Sequence, residues 1–254
     1  MTDKIPSVSE RTIMKTVQVR NITIGEGRPK ICVPIVGQTK EDILLEAGTF
    51  ARIPVDVVEW RVDWFEDVFD TDKVLDVAKD LQTVLKDTPI LFTFRTAKEG
   101  GEKAISNEDY KALNMAVAKS GYVDLIDVEA FTGEEIVKSM IQEAHSYGVK
   151  VIASNHDFDA TPKKDEIVRR LRMMQDYGAD IPKMAVMPKS KQDVLTLLSA
   201  TLEMSQQFAD RTIITMSMGY RCCQPSHWRN FWFRPYLRCR YQSFRTGADQ
   251  CQRT

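Results

Sequence analysis

Two side chains suited to carbonyl chemistry lie within apolar runs of the sequence. The first is Lys183, inside the run IPKMAVM at residues 181–187. Because burial disfavours the ammonium form, we expect the pKa of Lys183 to fall, which would make its amine a nucleophile able to form a Schiff base. The alternative interpretation is a lysine whose charged end reaches water.

The second is His156, which ends the run KVIASNH and is one of three histidines in the chain. Imidazole titrates near neutral pH, so His156 is a candidate general acid and base. Asp157 follows directly and could hold the ring. A capping or structural histidine is the alternative. The scattered histidines and Cys32, the only cysteine before residue 219, supply no metal-ligand spacing, so we expect no metal and no cofactor.

Charged side chains also end the neighbouring apolar runs. Arg61 and Arg95 could bind an anionic or hydroxyl-rich substrate, because a guanidinium group matches a carboxylate with two parallel hydrogen bonds. Glu59 and Glu99 could orient a base or bind hydroxyl groups. Each of these residues alone could belong to a surface ion pair, but together with the lysine and the histidine they form a candidate active site.

The elements that would position these residues repeat along the chain. Seven apolar, β-branched runs begin 24 to 35 residues apart, the length of a strand, a helix and their loops. They are ICVPIVG from Ile31, VDVVEWRVD from Val55, ILFTFR from Ile90, YVDLIDVE from Tyr122, KVIASNH from Lys150, IPKMAVM from Ile181 and TIITMSM from Thr212. The intervening segments have helical periodicity, as in EIVRRLRMMQDYG, where Gly178 suits a helix end.

Such βα units form either a doubly wound sheet or a (β/α)8 barrel. No G-x-G-x-x-G follows the first run, so dinucleotide binding has little support. Polar residues end successive runs, where barrel active sites are assembled; they are Glu59, Arg61, Arg95, Asp127, Glu129 and His156. We therefore predict an α/β protein with a TIM barrel. An N-terminal hairpin, KTVQVRNITIG, is expected to plug its bottom, and the eighth strand and last helices are expected to be missing.

The composition changes abruptly near Met218. The 254 residues carry a net charge of −1, with 35 basic and 36 acidic side chains. Residues 219–254 contain seven arginines and one acid, a balance of +6, which leaves −7 for residues 1–218. Four of the five cysteines also lie in that last segment. The tail is either a basic, aromatic segment that binds RNA or a protein partner, or a segment that was not selected as protein.

Several classes of protein are disfavoured by the same composition. A net charge near zero argues against a general nucleic-acid binder. No apolar run approaches the ~20 residues of a membrane helix, and the N-terminus lacks the apolar stretch of a signal peptide. We expect a cytoplasmic protein with neither a nucleic acid nor a membrane as partner.

Six motifs of the sequence resemble those of a known family. The sequence strongly resembles type I 3-dehydroquinate dehydratases of the enterobacterial kind in EWRVD (59–63), LFTFRTAKEGGE (91–102), VDLIDVE (123–129), ASNHDF (153–158), IPKMAVMP (181–188) and TMSM (215–218). The resemblance runs from Met14 to Met218 and suggests Met14 as the start. It implies a dimeric (β/α)8 barrel that dehydrates 3-dehydroquinate to 3-dehydroshikimate in the shikimate pathway without a metal.

The resemblance also implies roles for individual residues. Lys183 would form an imine with the substrate ketone, and His156 would remove the α-proton and protonate the departing hydroxyl group. Glu99 would support the histidine. Substrate-binding positions would be Glu59, Trp60, Arg61 and Arg95. Pro34 stands where many members have serine, which puts one polar contact in doubt.

After Met218 the resemblance ends. The family continues with a segment like GVVSRLAGEIFG, which supplies an arginine for the substrate carboxylate, the eighth strand and a closing loop. Allowed codons for Cys222–Phe233, read from their second base, give VVSRLTGEIFG. We therefore expect a frameshift near codon 219, a barrel domain at 14–218 and an aberrant tail at 219–254.

This tail predicts weak or absent activity, because the site would lack an arginine and the closing loop. It also predicts poor solubility, because open edges would remain on the first and seventh barrel strands. Two other functions remain open. One is a different Schiff-base lyase or aldolase on a TIM barrel, and the other is a non-catalytic remnant with a basic binding tail.

Overall fold

The computed structural model describes residues 15–218 and, as backbone only, Leu237–Cys239. Residues 1–14, 219–236 and 240–254 lie outside the described residues. The proposed start at Met14 and the proposed frameshift near codon 219 both fall in these segments. Within the described residues, no helix is both long enough and apolar enough to cross a membrane.

All seven predicted runs form parallel strands of one curled sheet, which confirms the predicted barrel fold. An antiparallel hairpin of β1 (Val17–Val19) and β2 (Ile22–Ile24) precedes them, also as predicted. The seven are β3 (Lys30–Ile35), β4 (Val57–Arg61), β5 (Ile90–Thr93), β6 (Leu125–Glu129), β7 (Lys150–Asp157), β8 (Ile181–Val186) and β9 (Ile214–Ser217), and each pairs with the next in sequence.

Helices follow the strands, as a βα repeat requires. They are α1 (Lys40–Thr49), α2 (Thr71–Leu85), α3 (Asn107–Ser120), α4 (Glu134–Ser146), α5 (Lys164–Asp176) and α6 (Lys191–Glu203). Local sequence explains several of their ends. Ser190 and Asp193 form a capping box that starts α6, and Gly178, with a φ of 95°, follows α5 where the sequence predicted a helix end.

The hairpin closes one end of the barrel with apolar side chains. A buried cluster, called the floor here, joins the hairpin to the lower barrel interior: Val17, Val19, Ile24, Cys32, Val57, Leu91, Leu125, Ile152, Ile181 and Ile214. A second, larger cluster fills the space between the sheet and helices α1–α4. The floor therefore leaves only the opposite end, at the carboxyl ends of the strands, for a polar site; we call that end the mouth.

The edge of β3 corrects one expectation. A three-residue strand, β10 (Leu237–Cys239), pairs with Lys30–Cys32 in parallel. The predicted open edge on the first barrel strand is therefore wrong at these three positions, because backbone pairing needs no aliphatic side chains. The prediction holds for β9: in the described part of the chain it pairs with β8 alone, and β9 and β10 do not meet.

Candidate active site

A layer of inward-pointing side chains, most of them polar, lies directly above the floor. Side chains two residues apart on a strand share a face, so the residue two positions beyond each floor residue also points into the barrel. These residues are Pro34, Glu59, Thr93, Asp127, Ser154, Lys183 and Met216. One further step along the strands lie Arg61, Arg95, Glu129 and His156. The predicted strand-end residues therefore converge at the mouth.

Arg95 is the cation around which the carboxylates gather. It is 3% exposed, and its Nη2 donates to Asp127 Oδ1 over 2.8 Å. Its Nη1 donates to Glu129 Oε1 over 3.0 Å and to Ser154 Oγ over 3.1 Å. Since a buried carboxylate is stable only when it is paired, Arg95 is what allows two acidic side chains in the interior.

Lys183 lies inside the barrel as the sequence predicted. It is 7% exposed, and its Nζ lies 3.5 Å from Asp127 Oδ2. Asp127 also accepts a hydrogen bond from Ser154 Oγ over 2.6 Å. Burial alone would raise the pKa of Asp127, but the charges of Arg95 and Lys183 outweigh that effect and lower the pKa below its ordinary value. The carboxylate beside the lysine is therefore ionised at neutral pH.

His156 meets Glu99 at the mouth. Glu99 Oε2 accepts the backbone N–H of His156 over 2.9 Å and lies 3.1 Å from its ring Nδ1. The expectation that Asp157 could hold the ring is wrong, because Asp157 Oδ1 instead accepts the backbone N–H groups of Asp159 and Ala160. Among the described residues, Glu99 is the carboxylate that lies beside the ring.

The turn that carries Glu99 depends on two glycines. Gly100 has a φ of 79°, and a Cβ there would lie 2.4 Å from the ring of Phe158. At Gly101 a Cβ would lie 1.8 Å from the carbonyl oxygen of Arg95. The segment AKEGGE can therefore fold back under Glu99 only because neither position carries a side chain.

The two groups of the His156–Glu99 pair have shifted pKa values. Burial lowers the pKa of His156 well below its ordinary value, and the positive charges of Arg95, Lys183 and Arg61 lower it further. Burial raises the pKa of Glu99 to about 7, against the opposing charge of Arg95. The imidazole is consequently neutral at pH 7 and able to accept a proton.

Glu59 and Arg61 line the other side of the mouth. Glu59 accepts a hydrogen bond from Thr93 Oγ1 over 2.9 Å. Arg61 Nε and Nη2 both donate to Asp63, over 2.8 Å each, a bidentate pair that fixes the plane of the guanidinium. Asp63 has no exposed surface and also accepts the backbone N–H groups of Arg95 and Glu102.

Trp60 is the predicted binding residue that the structure places elsewhere. It lies between Glu59 and Arg61 on β4, so its side chain points to the opposite face. There it is fully buried and its ring packs edge-on against Phe92, with centroids 5.6 Å apart. Trp60 belongs to the layer between sheet and helices and does not line the mouth.

Sequence reasoning missed several polar members of the site. Asp63 was quoted only as part of EWRVD, although an acid two residues after Arg61 is a signal for an ion pair. Asn155 contacts Glu99, and Arg170 contacts Asn155. Neither residue had such a signal, because the contact between them depends on how α5 packs on β7. Ser154 did have a signal, because it lies two residues before His156 on β7 and so shares its face; inside the barrel it contacts Arg95 and Asp127.

Comparisons with known proteins agree with this geometry. Residues 31–221 match the family described as Type I 3-dehydroquinase. The chain is 55% identical over 205 residues to 3-dehydroquinate dehydratase of Clostridioides difficile, covering 81% of this chain and 80% of that protein. It is 54% identical to the protein of the same name from Bacillus licheniformis, with 81% of each chain covered.

Solved structures give the same result. A type I 3-dehydroquinate dehydratase from Clostridium difficile, described with covalently modified comenic acid, superposes with a TM-score of 0.80 at 55% identity, over 81% of both chains. The enzyme from Enterococcus faecalis gives 0.79 at 50% identity, over 80% of this chain and 85% of that one. The chain thus belongs to the type I 3-dehydroquinase family.

Proposed function

We propose that this protein acts on 3-dehydroquinate, removing water to give 3-dehydroshikimate, through an imine between the substrate ketone and Lys183. Membership of the family supports the reaction. The observation that carries the mechanism is the burial of Lys183 beside an ionised Asp127, one step along the strands below a neutral His156.

The steps follow from the groups at the mouth. The ammonium group of Lys183 first releases a proton to solvent; the resulting amine attacks the ketone carbon and water leaves, forming the imine. His156 takes the proton from the adjacent carbon, and the electron pair moves into the imine. The electrons then return, the hydroxyl group on the next carbon departs with the proton held by His156, and hydrolysis of the imine releases product and restores the amine.

Glu99 supports His156 in this proposal. An ionised Glu99 accepts a hydrogen bond from Nδ1–H of His156. The ring proton then stays on Nδ1, and Nε2 keeps the lone pair that takes the substrate proton. Glu59 and Arg61 would bind the hydroxyl groups of the substrate. Arg95 already donates its Nη protons to carboxylates and Ser154, so it would contact substrate only by exchanging one of these bonds.

The charge of the described site bears on how well this chain can act. Five acidic side chains, Glu59, Asp63, Glu99, Asp127 and Glu129, surround three cations, Arg61, Arg95 and Lys183. A carboxylate substrate therefore needs a further cation, which relatives of the resembled kind supply after the position of Met218. We propose that the altered C-terminus reduces activity for this reason.

Borohydride trapping tests the imine directly. Reduction in the presence of 3-dehydroquinate should attach the substrate carbon skeleton irreversibly at Lys183, detected by mass spectrometry of the digested protein. Lys183→Met should abolish labelling, whereas Lys150→Met, a part-exposed lysine at the start of the adjacent strand, should retain it. Absence of labelling in the unaltered chain would contradict the mechanism, and labelling by sugar phosphates instead would favour a different Schiff-base lyase or aldolase.

The remaining proposals concern the chain as a whole. We propose a homodimer, tested by light scattering on the purified protein, and a frameshift near codon 219, tested by sequencing the DNA of codons 215–225. A non-catalytic protein with a basic tail would instead show salt-dependent RNA or partner binding that disappears when residues 219–254 are removed.

A further inference from the structure

A chain of hydrogen bonds joins helix α5 to the candidate base. Arg170 Nη1 donates to Asn155 Oδ1 over 2.8 Å. Asn155 Nδ2 donates in turn to Glu99 Oε1 over 3.0 Å. The other oxygen of Glu99 lies 3.1 Å from Nδ1 of His156. The chain therefore runs from a cation on the outer helix to the imidazole at the mouth.

From these contacts we propose that Asn155 and Arg170 are positioning residues, which keep Glu99 ionised and oriented so that Nε2 of His156 stays free to accept a proton. The inference rests on the proposed function, since it concerns the base of that reaction. Both residues act through Glu99, because Asn155 projects from the outer face of β7, between Ser154 and His156, which point into the barrel.

The polarity of the Asn155 amide is fixed by its partner. An arginine side chain has only donors, so the group facing Arg170 must be the amide oxygen. The amide nitrogen then necessarily faces Glu99 and presents a donor to it. Without Arg170 the amide could turn over and present its oxygen to the carboxylate, which would repel the ionised form.

Arg170 is itself held in place from several sides. Its Nε donates to Glu166 Oε1 over 2.7 Å, and Nη1 lies 3.5 Å from Asp157 Oδ2. Its guanidinium carbon lies 5.4 Å from the centroid of the Phe131 ring, within range of a cation–π contact. These contacts restrict the rotation of a long side chain, as a positioning role requires.

The pKa of Glu99 results from opposing effects of similar size, so the loss of one hydrogen-bond donor changes its charge state. On the raising side are its burial and the negative charge of Glu129 on β6. On the lowering side are Arg95, which follows β5, and the hydrogen bonds from Asn155 and the backbone of His156 on β7. The resulting pKa of about 7 means that loss of the Asn155 donor shifts Glu99 toward its neutral form at physiological pH.

That shift would change the tautomer of His156. An ionised Glu99 can only accept, so the ring carries its proton on Nδ1 and leaves the lone pair on Nε2. A protonated Glu99 can donate to Nδ1 instead, which places the ring proton on Nε2. In that tautomer Nε2 cannot take a proton from the substrate.

The test is nitrogen NMR of the imidazole rings in the full-length protein between pH 5.5 and 9.5. The His156 signals are assigned by their loss in His156→Gln. In the unaltered chain the Nδ1–H tautomer should become dominant as pH rises past 7. Asn155→Leu and Arg170→Gln should each move that midpoint upward by about one pH unit or more, since a hydrogen bond to a charged group contributes on that scale.

Arg169→Gln is the matched control. Arg169 is the exposed neighbour of Arg170 on α5, and it also pairs with Glu166, over 2.7 Å. Its substitution should leave the midpoint unchanged. Asn155→Asp, which keeps the size of the side chain but presents a second acceptor to Glu99, should raise the midpoint even if Asn155→Leu fails to fold.

An unchanged midpoint in Asn155→Asp and Arg170→Gln would overturn the proposal. The outcome is independent of turnover, because the spectra need no substrate. If borohydride labelling fails but the midpoints shift, the proposed reaction is contradicted and the positioning role is supported. If labelling succeeds but the midpoints do not shift, the proposed reaction is supported and the positioning role is contradicted.

Discussion

At the residue scale, the buried carboxyl group of Glu99 links the site to stability. Its pKa is about 7 in the folded protein and ~4.3 in an unfolded chain. Between these values the folded state holds a proton that the unfolded state has lost, so the contribution of Glu99 to stability falls as pH rises through this window. His156 acts in the opposite sense: because its folded pKa is depressed, stability is lost when pH falls below ~6.5.

Glu99→Gln should therefore stabilise the protein at pH 8 by about 3 kcal/mol, because glutamine resembles the neutral carboxyl that the buried site favours. At pH 5 the gain should shrink to under about 1 kcal/mol. Urea unfolding at both pH values measures the difference, with Glu26→Gln, at an exposed position, as control. A variant that is less stable than the unaltered chain at pH 8 would contradict this reading of the site.

The same scale shows what sequence could and could not foresee. The positions of Lys183 and His156 in their strands were predicted because a polar side chain inside or at the end of an apolar run can be recognised from the sequence alone. The misplacement of Trp60 was avoidable, since a residue between Glu59 and Arg61 must face the other side of a strand. The link from Arg170 to Asn155 was not foreseeable, because it depends on the rotation of α5 about its own axis.

At the element scale, the turn after β5 decides where Glu99 lies. Gly100 and Gly148 form a matched pair, with φ values of 79° and 80°. A Cβ at Gly148 would meet nothing within 4 Å, whereas one at Gly100 would meet the Phe158 ring at 2.4 Å. Gly148→Ala should cost about 1–2 kcal/mol for the left-handed backbone alone.

Gly100→Ala should cost at least about 1 kcal/mol more than that, because Phe158 must also move. That ring stacks near His156, with centroids 6.4 Å apart, so the variant should also shift the His156 ring resonances while Gly148→Ala does not. Urea unfolding and the imidazole spectra measure the two effects. Equal losses of stability in both variants would show that the Phe158 contact does not constrain the turn.

The hairpin gives a second element-scale prediction. Ile24 has no exposed surface and belongs to the floor, whereas Ile22 on the same strand is only partly buried. Ile24→Ala should lower the free energy of unfolding by about 2–5 kcal/mol, the range for a buried isoleucine. Ile22→Ala should cost less than half as much. Comparable costs would mean that the hairpin does not seal the barrel as the cluster indicates.

At the scale of the whole molecule, strand spacing predicted the barrel because seven β-branched runs recur at the length of a βα unit. The pairing of Leu237–Cys239 with Lys30–Cys32 could not be predicted, since parallel pairing is made by backbone groups. The edge of β9 is the more consequential feature: a strand edge without a partner in the described chain is a template for association. It agrees with the expected low solubility.

The open edge of β9 and the excess of acidic side chains at the mouth lead to a prediction about activity. It concerns a protein whose C-terminus is restored to the family's sequence. A version of the chain with codon 219 onward read in the shifted frame should gain an arginine for the substrate carboxylate and a closing loop. A charge-assisted contact contributes about 1.5–3 kcal/mol, and a lid adds water exclusion. We therefore expect kcat/KM for 3-dehydroquinate to rise by about 100-fold or more relative to the 254-residue chain.

Both proteins should still form the trapped adduct at Lys183, because the nucleophile and base lie within residues 15–218. Replacing the restored arginine by alanine should raise KM more than it lowers kcat, which separates binding of the carboxylate from repair of the fold. Equal kcat/KM in the restored and the 254-residue proteins would mean that the described part of the barrel already contains every group that the reaction needs.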